Sequence, residues 1–350
     1  MSGVVSVHQC VKDVGCRSPG PLIHEMASNP PGLSLSRSQY AKLSPHSYLL
    51  AHLSPSPAIR PNGREPSEFR PPQIHVGSLT HADGSAVVRM GDTAVVCGIR
   101  AEILLRRDVP SYRPNSPTEV ADLGLLVPNI ELDTGCTPTN IPGSPPSSFA
   151  QTFTSRLLSL LCSTGVVRAE DLRILYQPPR DPDAPDKEPE EVVVGWWVLH
   201  MSVVFISLSG NASAFDAAWG AMMAALGHVR LPSAAWDPDL DGMVCDDAME
   251  TAKSLRVREL VFAATVGVVR GKQGQSWVLA DMDAFEEGVD QAPEWVTMVG
   301  TGDRIKRIEM WTGGLAQVGK SGMGEMLRLA SARWKQWARA MENQTTNEES

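Results

Sequence analysis

Four sets of residues in this chain have types and spacings that chemistry uses. Gly314-Leu-Ala-Gln-Val-Gly319-Lys320-Ser321 is a literal match to G-x4-G-K-[ST], the loop whose backbone amides cradle phosphates while its Lys and Ser reach phosphate and Mg²⁺. The predicted strand before it, Arg304 to Trp311, alternates charged with apolar residues, whereas a P-loop strand is buried on both faces. Only 29 residues follow Ser321, too few for the later strands of a nucleotide-binding sheet, so a Gly-rich lead into a last helix is the better account. Asp281 and Asp283 end a predicted strand. As a pair they would suit proton or Mg²⁺ management; as single residues they suit a turn and a strand end. Arg100, Arg106, Arg107 and Arg113 form a basic cluster offset by Glu102 and Asp108, which by itself is a solvated surface. The six cysteines form no CxxC pair, and His75, His81, His200 and His228 show no ligand spacing. The expectation is no metal and no cofactor.

The elements that must position these groups follow from periodicity. Hydrophobic residues make up 42% and charged residues 20%, the balance of a soluble globular protein. The net charge of −9 excludes a wholly basic nucleic-acid surface and leaves room for a local patch. No signal peptide and no run of about 18 apolar residues is present, so an intracellular protein with no membrane contact is expected. Residues 1–36 are rich in Ser, Pro and Gly, the composition of a disordered tail. Residues 39–53 suit short helical turns. Strands are expected at 74–79, 85–90 and 93–103, the last two joined by the hairpin turn Gly91-Asp92. A helix carrying Phe149, Phe153, Leu157, Leu160 and Leu161 begins near Ser147 and stops at Gly165. Strands 172–176 and 196–208 flank an acidic, Pro-rich insertion, 178–191. Residues 213–226 are apolar nearly all round, as in a buried helix. Beyond Pro232, strands near 257–269, 276–280, 294–299 and 304–311 lead to a helix ending near 342, followed by a frayed tail, 343–350. Trp196 and Trp197 point to opposite faces of one strand, so one enters the core and a neighbouring subunit is the economical cover for the other, with the acidic loop as the alternative.

Three segments carry a family resemblance. RPNGREPSEFR (60–70) looks like the R-P-x-G-R-x-x-x-E-F-R opening of RNA exosome ring proteins. ADGSAVVRMGDTAVVCGIRAEI (82–103) is similar to their first hairpin. WWVLHMSVVFISLSGNASAFDAAWGAMMAAL (196–226) resembles the strand–loop–helix that holds phosphate in active relatives. Together with LSPHSYLLAHL (43–53), the chain resembles the catalytically silent class of RNase PH-like ring subunits of the eukaryotic exosome over about residues 38–340.

The resemblance implies an α+β fold of two RNase PH-like α/β units, with mixed and antiparallel sheets packed on helices, spanning 37–232 and 233–342. It implies a ring that RNA threads, with partners among the other RNase PH-like ring subunits, the RNA-binding cap subunits and RNA itself. It also implies work in RNA processing and decay in nucleus, nucleolus and cytoplasm. It places Arg100, Arg106, Arg107 and Arg113 near the RNA path. Active relatives carry a D-x-G-[ST]-R loop before the helix; here Ser209, Gly210 and Asn211 stand in it, Ser209 replaces the Asp, and no Arg follows. Ser202 likewise replaces a carboxylate, and no Lys or Arg occurs between Lys187 and Arg230. No catalytic residue is expected. The alternatives are an active phosphorolytic 3′–5′ exoribonuclease and a P-loop nucleotide-binding protein.

Overall fold

A two-residue turn sets the first sheet. Gly91 takes the left-handed backbone at φ 57, and Met90 then faces Thr93 across the hairpin. The computed structural model describes residues 35–350 except 111, 115, 117, 139, 143–146, 180–189, 247, 249, 272–274, 290–293, 303, 312–319 and 349–350. Residues 1–34, the body of the acidic insertion and most of the Gly314–Ser321 match therefore lie outside the described residues.

Helix α1 (Arg37–Leu43) belongs to a unit of its own and buries no side chain. The rest, Ser44–Ser350, is one compact unit. It begins with α2 (Pro45–Leu53), β1 (Gln73–Val76), β2 (Gly84–Met90) and β3 (Thr93–Leu105). A single 3₁₀ turn, Arg106–Asp108, leads to α3 (Glu119–Asp122), β4 (Leu126–Leu132), α4 (Ser148–Thr164), α5 (Ala169–Leu172), β5 (Arg173–Tyr176) and β6 (Val192–Ser207). The first sheet runs β1-β2-β3-β6-β4, with β5 also on β6; β4 lies parallel to β6 and every other pair is antiparallel. Next come α6 (Asn211–His228), β7 (Arg230–Leu231), β8 (Ser233–Asp237), β9 (Gly242–Asp246) and β10 (Lys253–Ser254). The second sheet is antiparallel, β12-β11-β13-β14, from β11 (Phe262–Arg270), β12 (Ser276–Ala280), β13 (Glu294–Thr301) and β14 (Arg304–Trp311). Helix α7 (Ala284–Glu287) follows β12, and α8 (Lys320–Glu348) follows β14.

Helix α6 is the axle. Every residue from Ala212 to Leu226 is buried, because α6 packs on β2 and β3 on one side and on β11 on the other. A helix with water on one side keeps a polar stripe; this one has none. Gly220 lets the Trp337 ring of α8 lie against its backbone, since a Cβ there would overlap the ring. One continuous core thus joins Ile74 and Val88 of the first sheet to Val296, Met298 and Trp334.

Several expectations need correction. The first strand stops at Val76, not 79, because Gly77 turns at φ 73. The strand expected from 257 starts at Phe262. The last helix does not end near 342: α8 continues to Glu348, since extending a helix already nucleated on a core costs little. Residues 44–70 pack with the second sheet rather than the first. Leu49 and Leu53 meet Val269, Leu279 and Met282, and Arg60 reaches Glu286. Trp197 needs no outside cover. It is 8% exposed and shares a cavity wall with Leu231, Pro232, Ala234 and Leu255, so the stretch after α6 shields it.

Candidate functional site

The degenerate loop lies where β6 hands over to α6. Leu208 N donates to Cys136 O at 3.1 Å and Ser209 N to Thr93 Oγ1 at 3.2 Å. Gly210 sits at φ 90, a left-handed conformation that a side chain adopts only with strain. The 18-residue helix then presents its first amides, the positive end of its dipole and a natural anion site. A carboxyl group is already there. Asn211 N donates to Glu287 Oε2 at 2.6 Å, and Ala212 N donates to Glu287 Oε1 at 2.7 Å. The carboxylate of α7 thus caps α6 with two oxygens, as a phosphate would. Burial, with Asp283 and Asp281 nearby, pushes the Glu287 carboxyl up to about 7 against the pull of these two amides. Among the described residues no Lys or Arg pairs with it.

Asp281 and Asp283 do different work, and neither is poised as a catalytic pair. Asp281 is buried at φ 47. It accepts from Arg70 Nε and Nη2, each at 2.7 Å, from Arg70 N at 3.0 Å, and from Arg64 Nη1 at 3.1 Å. Burial pushes its carboxyl up, but the Arg70 contacts outweigh this and hold it below the usual range. Asp283 caps α7 by accepting from Glu286 N at 2.9 Å, and Asn62 Nδ2 donates to it at 2.7 Å. Arg60 pairs with Glu286 and donates to Ala280 O at 2.6 Å and Asp281 O at 3.0 Å. The RPNGREPSEFR segment is therefore a clamp on the β12–α7 corner. Among the described residues no group of three His, Cys, Asp or Glu could hold a metal ion.

The four arginines are not one open patch. Arg100 is exposed on β3, opposite His200. Arg106 lies over the Tyr112 ring at 4.8 Å and donates to Val109 O at 3.0 Å. Arg107 donates to Asp241 O and Oδ2, each at 3.2 Å, at the tip of the β8–β9 hairpin. Arg113 is exposed in the loop before α3. Arg106 and Arg107 are thus already engaged by this chain. Sequence reasoning missed both Glu287 and Asp241. The sequence does print Glu286-Glu287 just after Asp281-Met282-Asp283, but the separation of 75 positions between Ala212 and Glu287 hides their meeting.

Comparison with known proteins fits this geometry. A family model described as the 3′ exoribonuclease family, domain 1 (RNase_PH) matches residues 68–232. The chain is 33% identical over 234 residues to the exosome complex component rrp43 of Schizosaccharomyces pombe, covering 67% of this chain and 75% of that protein. It is 26% identical over 248 residues to the exosome complex component Rrp42 of Methanopyrus kandleri, covering 70% and 77%. In fold it resembles a chain of the Archaeoglobus fulgidus exosome with RNA bound to the active site, at TM-score 0.58 and 22% identity, over 84% of this chain and 96% of that one.

Proposed function

The chain belongs to the RNase PH family of 3′ exoribonucleases, and from that premise we propose that it is a non-catalytic subunit of an RNA exosome ring. It acts there by assembly and RNA guidance, in 3′–5′ processing and decay of RNA. Among the silent subunits, the 43–53 segment is most similar to exosome component eight. Its partners are other RNase PH-like ring subunits, RNA-binding cap subunits and RNA, and its places of work are nucleus, nucleolus and cytoplasm.

One observation carries the silence. Phosphorolysis needs an anion held by a helix N-terminus and a cationic fork while charge develops on the transferred group. Here the N-terminus of α6 is closed by Glu287, and no Lys or Arg stands in the sequence from 188 to 229. A phosphate would meet a carboxylate instead of a guanidinium. Arg100 and Arg113, exposed and without a side-chain partner among the described residues, supply the RNA contact.

The test is direct. Purified full-length chain incubated with single-stranded RNA, inorganic phosphate and Mg²⁺ should release no nucleoside diphosphate. Release that persists through further purification and disappears on Ser209→Ala or Asn211→Ala would establish the phosphorolytic alternative.

A further inference from the structure

Helix α6 is tied to the second half of the molecule by two buried carboxylates. At its start, Glu287 of α7 takes the amides of Asn211 and Ala212. Farther along, Asp216 of α6, 2% exposed, accepts from Thr265 N at 2.9 Å and from Thr265 Oγ1 at 2.7 Å on β11. Thr265 Oγ1 in turn lies 3.0 Å from Thr297 Oγ1 on β13. Among the described residues neither carboxylate has an ion-pair partner, although buried charges ordinarily require one. We propose that Glu287 and Asp216 form a proton-sensitive lock that fastens α6 to the second sheet and loosens as pH rises through neutrality.

The groups around each carboxylate set the direction. Glu287 is faced by Asp283 and Asp281 from the β12–α7 corner, while its neighbour Glu286 is turned to Arg60. Asp216 is faced by Arg333 of α8 and by Asp281, and Arg156 of α4 feels its charge. Both arginines have other partners, and the charge of Arg333, which meets only neutral acceptors, draws the Asp216 carboxyl part of the way back down against burial. Arg156 Nε donates to Glu309 at 3.1 Å, and Arg333 Nη1 donates to Arg70 O at 2.7 Å and to Gln336 Oε1 at 2.6 Å. Burial lifts Asp216 to about 6 and Glu287 to about 7. In the unfolded chain both titrate in the ordinary carboxylate range near 4. Between these limits the folded state binds more protons than the unfolded one, so this contribution is fully present below about pH 4. It falls as pH rises and is lost above about 7. On the alkaline side, α6 is held by two ionised, water-poor carboxylates, one of them beside two further acids.

Thermal unfolding of the full chain between about pH 5.5 and 8.5 tests this, comparing wild type, Glu287→Gln, Asp216→Asn and the double variant. The wild-type midpoint should fall across the window, Glu287→Gln should lose the larger share of that fall and Asp216→Asn the smaller, and the double variant should lose most of it. Equal slopes in wild type and double variant would overturn the lock. Deuterium exchange of the wild type gives a reading independent of the variants' folding. Corrected for intrinsic exchange rates, protection of 211–217 and 262–268 should drop about tenfold from pH 6 to 8, while the β2–β3 hairpin keeps its protection. The same drop in both places would defeat the proposal.

Discussion

Arg60 and Glu286 are both fully buried, and each is the other's counterion. Removing one partner of such a pair leaves an uncompensated buried charge, at a cost of about 3–5 kcal/mol. Arg60→Ala should therefore lower the urea midpoint sharply, and adding Glu286→Ala should restore part of the loss. If the double variant is less stable than the sum of the singles, the pair is not the unit described here. The pattern around Arg60 is visible in the sequence, but its partner lies 226 residues away. Periodicity has no term for that distance. The same holds for Glu287, whose role appears only when α7 is folded against α6. Ser209, Gly210 and Asn211 were legible as a loop stripped of cations; what occupies the loop was not.

Local elements were legible where their signals are local. Helix α4 starts at Ser147, whose hydroxyl accepts from Ala150 N at 3.2 Å, and stops at Gly165 with φ 64. Both ends are visible as residue types. Strand β4 was missed. It pairs in parallel with a strand some 70 residues later, and Pro128 interrupts its reading as a strand. The structure resolves this, because β4 lies at a sheet edge where a missing amide is tolerated, and its buried positions alternate as Leu126, Pro128 and Ile130. Two predictions belong here. Gly220→Ala should force Trp337 out of its seat and cost about 1–3 kcal/mol, measured by urea unfolding; an unchanged midpoint would mean that the two helices can part without loss. Deleting 180–189 should leave Tm nearly unchanged, because Tyr176 pairs with Val192. The two strands close as a hairpin whatever joins them, and shortening a long loop alters its closure entropy little. A large fall in Tm would mean that those ten residues pack.

For the whole molecule, the proposed role predicts dependence on company. Large apolar side chains remain exposed on β14, with Ile305 at 44% and Met310 at 54%, on the outer strand of the second sheet. An open, partly apolar edge invites pairing. Co-expression with the other RNase PH-like ring subunits should yield a stoichiometric complex melting well above the lone chain, since a partner that binds only the folded form stabilises it. A lone chain that is a stable monomer with no affinity for those subunits would contradict the assembly role. The two-sheet plan was legible through resemblance, but the single core was not, because it depends on α8 crossing back to β1. That crossing bears on synthesis. Trp334 and Trp337, 1% and 0% exposed, reach the ribosome's exit only after both sheets have emerged. Until then the face of α6 at Gly220 lacks Trp337, so the nascent polypeptide carries an open greasy seam from the synthesis of α6 until α8 emerges. A chain ending just before residue 320, held on the ribosome by a linker long enough to clear the exit tunnel, should hold chaperones and be cut readily by protease, and restoring the final helix should end both at once.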